Sequence, residues 1–213
     1  MNDYDQVCQL TVGERQNRVC HRTEELKDCY WPDAVIRTSW SDGGVSSFVD
    51  KGASKQQRAE ASPDEVIINR SCAPIVHWGT NPNRAYVELP TTSEHWISVH
   101  DIPAVWTSHM RLMYECEKRC GIWKIVMLTS VFEMDQLAPV VPGSSLHINP
   151  EDLKGFRRSY LWLSYVRTQA GGHVSDDEFG VDRPAQLQGL YDEYERWINT
   201  GTGVTHDEQD YST

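Results

Sequence analysis

The sequence lacks the features of a membrane or nucleic-acid-binding protein. Its 213 residues contain no run of about 20 apolar residues, so we expect no membrane-spanning helix. It also contains no basic tract, and 20 Lys and Arg against 31 Asp and Glu give a formal net charge of −11. Phosphate backbones and anionic membrane surfaces attract basic patches. We therefore expect neither nucleic acid nor a membrane as a partner.

Metal-binding and cofactor-binding patterns are also missing. The six cysteines include no CxxC pair and no His at zinc spacing, and no His and carboxylate cluster has convincing metal spacing. No Gly-rich phosphate loop occurs, so we expect neither a metal nor a cofactor. The N-terminal segment is polar and does not resemble a secretion signal. These observations favour a cytoplasmic protein with reduced thiols.

Two long alternating runs between residues 105 and 133 are the most informative feature that is present. Apolar and polar residues alternate along 105–118 and again along 123–133, and Arg119, Cys120 and Gly121 lie between them. Period-2 spacing around a Gly-containing turn predicts a β-hairpin. Both runs carry ionisable groups among apolar ones, which is how small proteins build a small-molecule pocket on a sheet face.

The remaining pattern predicts helices before and after the strands. Helices are predicted at 4–17, 23–30 and 45–50, and strands at 34–40, 66–72, 75–78 and 84–97. Asn149 followed by Pro150 and two acids predicts the start of a helix at 149–169, and a last helix is predicted at 184–199. Residues 51–64 are expected to form a loop or a frayed helix. This order predicts an α+β fold with a curved antiparallel or mixed sheet and helices on its concave side.

Two segments carry a resemblance to a known family. CYWPDAVIRTSW (29–40) and GIWKIVMLTSVFEMDQLAPV (121–140) resemble the first and last strand regions of SnoaL-like proteins, in the nuclear transport factor 2-like superfamily. The resemblance implies a cone-shaped α+β barrel, often a homodimer, with a pocket between sheet and helices. It covers residues 1–142, so we expect a SnoaL-like domain there, a C-terminal helical extension at 143–200 packed on it, and an acidic flexible tail at 201–213.

Comparison with scytalone dehydratase, a member of the same superfamily, shows where this chain departs from one catalytic pattern. Arg18 and Val19 stand where that enzyme has a Tyr-Asp pair. Its two catalytic His residues align near Asn69 and His95, and a Ser and an Asn align with Met110 and Leu112. The resemblance therefore implies a pocket lined by Asn69, Met110, Leu112 and Trp40, but without the scytalone dehydration chemistry.

Four residues are candidates for catalysis. Arg37 and Glu133 are charged residues within apolar strand runs, and we expect them to meet in one pocket, where Glu133 would move a proton and Arg37 would hold an oxyanion. The alternative is a structural salt bridge. Tyr114, on the face of Met110 and Leu112, could position a carbonyl oxygen, or it could be a core aromatic residue. His95 could transfer protons near neutral pH, or it could be a surface residue.

The function predicted from these observations is cofactor-independent acid–base catalysis in specialised metabolism. The resemblance implies cyclisation, isomerisation or dehydration of a hydrophobic small molecule, such as a polyketide or alkaloid intermediate. The competing prediction is a non-catalytic binding or assembly module of the same fold. The face carrying Thr107, His109, Arg111 and Met113 is too mixed for a solvated surface, so we expect it to form the interface of a homodimer.

Overall fold

The computed structural model describes residues 1–60 and 66–201, which form one mixed α+β unit. Its helices are α1 (Asp3–Val19), α2 (Thr23–Asp28), α3 (Val45–Glu60), α4 (Leu161–Gln169) and α5 (Pro184–Asn199). Its strands are β1 (Tyr30–Thr38), β2 (Ser41–Gly44), β3 (Val66–Ser71), β4 (Ile75–Trp78), β5 (Arg84–Val99), β6 (Ile102–Arg119), β7 (Ile122–Pro139) and β8 (Phe179–Gly180). The predicted fold class is confirmed.

The eight strands form one mixed sheet. The hydrogen-bonded order is β2-β1-β7-β6-β5-β3, with β4 also on β5 and β8 also on β7. The first and last strands of the predicted domain, β1 and β7, lie side by side and parallel, and β8 is also parallel to β7. The other pairs are antiparallel. The long antiparallel strands β5, β6 and β7 are therefore the frame on which the other elements pack.

Two tight turns join these three long strands. In both turns the two central residues have positive φ: 50° and 61° at His100 and Asp101, and 50° and 80° at Cys120 and Gly121. Two-residue turns of this kind match the right-handed twist of a hairpin. The hairpin predicted around Gly121 is confirmed, and β5, β6 and β7 all extend further than predicted.

Alternation along the strands gives the sheet two faces with different coverings. The inner face, which carries Leu112 and Tyr114, packs against α1, α2 and α3 in the largest core cluster. The outer face, which carries Met113 and Val131, packs against α5. Helices on the concave side were predicted, but α5 covers the opposite face, because Leu190, Tyr194 and Ile198 recur at helical spacing and need an apolar partner.

The helix predicted at 149–169 is wrong as a single element. Two short 3-10 turns, Pro150–Leu153 and Arg158–Tyr160, precede α4. Gly155, with a φ of +85°, breaks the segment between them. The helix begins only at Leu161 because the buried Asp135 carboxylate on β7 accepts hydrogen bonds from the backbone N–H groups of Trp162 (3.1 Å) and Leu163 (2.7 Å). A tertiary contact thus sets the helix start.

Other expectations differ in length or lie outside the described residues. Helix α3 continues to Glu60, so of the two alternatives expected for 51–64, a loop or a frayed helix, the helix holds as far as residue 60, and 61–64 is not described. Most of the predicted tail, 202–213, also lies outside the described residues. The division into a domain and an extension stays a prediction. Among the described residues, no helix is long and apolar enough to cross a membrane.

Candidate functional site

A cavity of about 460 Å³ lies between the inner face of the sheet and helices α1, α2 and α3. This volume is in the usual range for small-molecule sites. Leu163 and Arg167 of α4 complete its wall, so the C-terminal segment also shapes it. The side chains that line it on the sheet and on the N-terminal helices include Arg15, Arg18, Trp40, Phe48, Asn69, Ser93, His95, Trp106, Ser108, Met110, Leu112 and Phe132.

Aromatic and aliphatic side chains form much of the cavity wall. Trp40 stacks on Phe48 with ring centroids 4.8 Å apart, and Leu112 and Phe132 are almost completely buried. Met110 packs against two core clusters and also faces the cavity. Such a wall favours a ligand with a hydrophobic skeleton.

A fully buried carboxylate, Glu14 on α1, organises the polar side of the cavity. The hydroxyls of Tyr30 and Tyr114 each donate a hydrogen bond of 2.7 Å to Glu14, one to each carboxylate oxygen. Arg18 lies one turn further along α1, with Nε 2.9 Å from Oε1 and Nη2 3.0 Å from Oε2 of Glu14. The carboxylate therefore has two hydroxyl donors and a two-pronged guanidinium partner, the arrangement that a buried charge requires.

The protonation states in this cluster follow from burial and from Glu14. Burial, reinforced by the Glu14 charge, holds the pKa values of Tyr30 and Tyr114 well above the usual value, so both phenols stay protonated and act as donors. Burial alone would lower the pKa of Arg18, but the attraction of Glu14 outweighs it and raises that pKa. Arg18 is therefore a permanent cation paired with Glu14.

Arg15 adds a second guanidinium without a second carboxylate. Its Nη2 donates a short hydrogen bond to Asn69 Oδ1, a neutral acceptor on β3. Its buried Nε has no hydrogen-bond partner in the described part of the chain. Burial first, and then repulsion from Arg18, lower the pKa of Arg15 to about 10. Arg15 is thus charged at neutral pH, and both burial and the neighbouring Arg18 make its charge unfavourable.

His95 on β5 lies in the same wall. A 2.7 Å hydrogen bond joins its Nε2 to Ser93 Oγ, and its ring stacks on Trp106 with centroids 4.3 Å apart. Trp106 in turn donates a 3.3 Å hydrogen bond from Nε1 to Asp135, the residue that caps α4. Asn69 and Ser93 are cross-strand partners in the β3–β5 pairing. The imidazole and the Arg15–Asn69 pair are consequently neighbours in one wall.

The structure brings most of the predicted site residues to this cavity. Trp40, Asn69, His95, Met110 and Leu112 all line it. Tyr114 lies just behind the wall, bound to Glu14, with its hydroxyl 3.4 Å from Arg18 Nη2. The roles assigned to these residues stay predictions.

The expected meeting of Arg37 and Glu133 does not occur. Along β1 the buried residues are Ala34, Ile36 and Thr38, so Arg37 points to the other face and is exposed. Glu133 is also on the outer face, where its Oε1 lies 2.8 Å from Arg111 Nε. The period of two that places apolar neighbours toward the cavity places both charged residues away from it.

The surface expected to form a dimer interface is partly covered by the chain itself. Met113 has no exposed surface because it packs in the cluster that α5 forms on the outer face. Arg111 pairs with Glu88 and Glu133 and donates a hydrogen bond to Tyr191 of α5. This correction concerns the surface, and a homodimer as such stays a prediction.

The residues that sequence reasoning missed are Glu14 and Arg15. A signal was present for Glu14 only, since Val7, Thr11 and Glu14 follow helical spacing and form the buried stripe of α1. Because this stripe includes polar residues, hydrophobic periodicity alone does not reveal it.

An open cleft of about 1140 Å³ adjoins the cavity. The two share Thr38, Ser39, Trp40 and Arg167, and Arg37 lines the cleft and not the cavity. Within the described residues, no group of three or more His, Cys, Asp or Glu side chains is placed to hold a metal ion.

Solved structures share the mixed α+β fold of this chain. Among solved structures it is similar to hexachlorocyclohexane dehydrochlorinase LinA-type3 from Novosphingobium barchaimii, at 11% identity and a TM-score of 0.50, over 68% of this chain and 94% of that one. A LinA type 2 enzyme is similar at 12% identity and a TM-score of 0.49, over 72% and 95%. At these identities the likeness concerns the fold.

Among curated proteins, the chain is similar to Pea pathogenicity protein 2 of Fusarium vanettenii. The two are 23% identical over 172 residues, which cover 77% of this chain and 69% of that protein. No protein-family profile matches the chain.

Proposed function

We propose that this protein is an enzyme that transfers protons on a hydrophobic small molecule held in the cavity. The reaction is a cyclisation, an isomerisation or a dehydration in specialised metabolism, as the sequence resemblance implies. The observation that carries the proposal is the position of His95, an ionisable imidazole held by Ser93 and Trp106 in the wall of a cavity that also has an aromatic and aliphatic surface. A second support is that hexachlorocyclohexane dehydrochlorinases share the fold.

His95 is the group best suited to move the proton. A neutral imidazole takes a proton from a carbon next to a carbonyl, and the electron pair of the broken C–H bond moves to the carbonyl oxygen. Returning the proton at another carbon gives isomerisation, and giving it to a leaving hydroxyl gives dehydration. A positioned general base typically contributes about 10²–10⁴-fold to the rate.

The Arg15–Asn69 pair supplies the complementary half of such a reaction. It lies beside the Ser93–His95 pair, because Asn69 and Ser93 are opposite each other in the sheet. A fixed guanidinium and amide, partly shielded from water, stabilise an oxygen that gains negative charge. The proton acceptor and the charge acceptor are therefore adjacent, which the chemistry requires.

The alternative is a non-catalytic module that binds a small molecule in the same cavity. A binding module needs the shape and apolar wall of the cavity but has no use for a proton-transfer group. Substitution of His95 therefore separates the two functions.

The experiment compares metabolites in the organism that carries the gene. We expect a deletion strain and a His95→Asn strain to accumulate the same compound, the untransformed substrate. A His21→Asn strain is the matched control: His21 also lines the cavity, but it is exposed, so the profile should stay at wild type. A His95→Asn profile identical to wild type, from folded protein at normal abundance, would contradict catalysis and favour the module.

A further inference from the structure

The two arginines that α1 contributes to the cavity are unequally paired. Arg15 and Arg18 both line it, and no Asp or Glu is among the described residues that do so. The nearest buried carboxylate, Glu14, sits behind Arg18 and is already engaged by two tyrosine hydroxyls and that guanidinium. Because Glu14 neutralises one cation only, no described Asp or Glu side chain forms an ion pair with Arg15.

The surroundings of Arg15 reinforce this imbalance. Its one hydrogen-bond partner in the described structure is the neutral Asn69 side chain, and its Nε is buried without a partner. Ser108, which is fully buried and also lines the cavity, likewise has a hydroxyl with no partner among the described residues. A buried charge and a buried hydroxyl without partners are costly in free energy. An anionic oxygen entering from the cavity would remove the cost at Arg15.

We infer that the small molecule bound here carries an ionised oxygen on a hydrophobic skeleton, and that this oxygen binds at Arg15 and Asn69. The inference rests on the proposed function in taking the cavity as the substrate site, and it adds the chemical class of the substrate. A carboxylate and an ionised enol or phenol share this chemistry. The apolar wall of Trp40, Phe48 and Phe132 receives the skeleton.

The position of the anion has a consequence for the reaction. An oxygen held at Arg15 lies next to His95, because the Asn69 and Ser93 positions are paired across β3 and β5. If that oxygen belongs to the reacting carbonyl system, the substrate enters as its enolate with the C–H proton already lost, and His95 in its protonated form returns a proton to another carbon or to the leaving hydroxyl. If it belongs to a carboxylate, the carboxylate anchors the substrate with its reactive carbon near the imidazole.

Equilibrium binding of four probes to the full-length protein tests the inference. The probes are 2-naphthoate (a carboxylate), 2-phenyl-1,3-indandione (an ionised enol), 2-naphthamide (neutral) and 2-naphthylmethylammonium (a cation). Isothermal titration calorimetry at neutral pH measures each affinity. We expect at least one anionic probe to bind about tenfold or more tightly than the amide, and the cation to bind more weakly than the amide. The tighter of the two anions distinguishes the carboxylate from the enolate.

Variants identify the responsible residue. In Arg15→Gln the preference for the anion should fall to about twofold or less. Arg22→Gln, which removes an exposed arginine outside the cavity, should keep the wild-type preference. Equal binding of amide and anion to the wild type, no binding of any probe, or an unchanged preference in Arg15→Gln would overturn the inference. Should Arg15→Gln fail to fold, the wild-type comparison of anion, amide and cation still decides.

The test separates this inference from the proposed function. The His95→Asn protein should keep the anion preference, since the imidazole is not the anchoring group. Anion binding that persists while His95→Asn leaves metabolism unchanged would support the substrate class and refute catalysis. Turnover that depends on His95, without any preference for the anionic probes, would support catalysis and refute the substrate class.

Discussion

Among single residues, Glu14 has the largest expected effect on stability. It is fully buried and holds Arg18, Tyr30 and Tyr114 together. We expect Glu14→Gln to lower the free energy of unfolding by about 3–5 kcal/mol, because it leaves the Arg18 guanidinium buried without a counter-charge. Urea denaturation followed by circular dichroism measures the change.

The matched control for this prediction is Glu25→Gln in α2. Glu25 is exposed, and exposed substitutions usually change stability by no more than about 0.5 kcal/mol. A Glu14→Gln protein as stable as the Glu25→Gln protein would show that the cluster does not hold α1 to the sheet.

Glu115 on the outer face provides a test by pH. Burial raises its pKa to about 7, and the lowering effect of Arg84 does not compensate. The folded state therefore binds a proton that the unfolded chain releases near its ordinary pKa of about 4.3, so this group makes the protein less stable as the pH rises from about 5 to 7.

In Glu115→Gln that pH-dependent loss should disappear. We expect the variant to gain stability relative to wild type between pH 5 and pH 8, by on the order of 1 kcal/mol or more. Urea denaturation at several pH values measures it. A difference between the two proteins that does not vary with pH would refute the assigned pKa. Comparing the two proteins also cancels the contribution of Glu178, whose pKa burial likewise raises to about 7.

Residue-level prediction from sequence succeeded where the strand pattern was simple. Alternation placed Met110, Leu112 and Tyr114 on one face, and the structure has them there. The prediction for Arg37 and Glu133 is wrong because the same alternation, with Ile36 and Phe132 on the inner face, puts both charged side chains on the outer face. Arg15 could not be found in this way, because its importance depends on what Glu14 leaves unpaired, and that is a property of the folded cluster.

At the scale of elements, the attachment of α5 depends on a close approach at Gly79. A Cβ there would lie 2.4 Å from the carbonyl oxygen of Ile198, near the end of α5. The same loop is bound to α5 by a 3.0 Å hydrogen bond from the Asn81 N–H to that oxygen. We expect Gly79→Ala to cost about 1–3 kcal/mol, because the helix end must move. Thermal or urea unfolding measures the effect.

Gly189 within α5 is the control for this prediction. An added Cβ would meet no described atom within 4 Å, so Gly189→Ala should stabilise the protein by about 0.5–1 kcal/mol through helix propensity. Equal effects of the two substitutions would argue against the packing of α5 on the outer face.

Elements were predictable from sequence where local pattern determines them. The helix at 184–199 and the turn at Gly121 followed from spacing and turn chemistry. The start of α4 could not be predicted from local pattern, because the residue that caps it, Asp135, lies 26 positions before Leu161. The sequence also did not decide the length of α3, since polar residues with no apolar stripe still continue that helix.

For the whole molecule, the resemblance of two short segments predicted the fold because the fold brings them together. The segments at 29–40 and 121–140 contain β1 and β7 completely, and these strands are neighbours in the sheet. The C-terminal segment was expected to pack on this unit. In the structure, α4 of this segment forms part of the cavity wall and α5 covers the outer face. The sequence did not predict this arrangement, because it depends on which sheet face each helix covers.

The measurement that tests the account most directly is blockage of the cavity. Met110→Trp places a large ring into it, whereas Met134→Trp, at an exposed position on the neighbouring strand, adds the same ring outside. Metabolite profiles of strains carrying each variant are compared with those of the deletion and wild-type strains. The account predicts that Met110→Trp reproduces the deletion profile and Met134→Trp the wild-type profile. A folded Met110→Trp protein with the wild-type profile would contradict it.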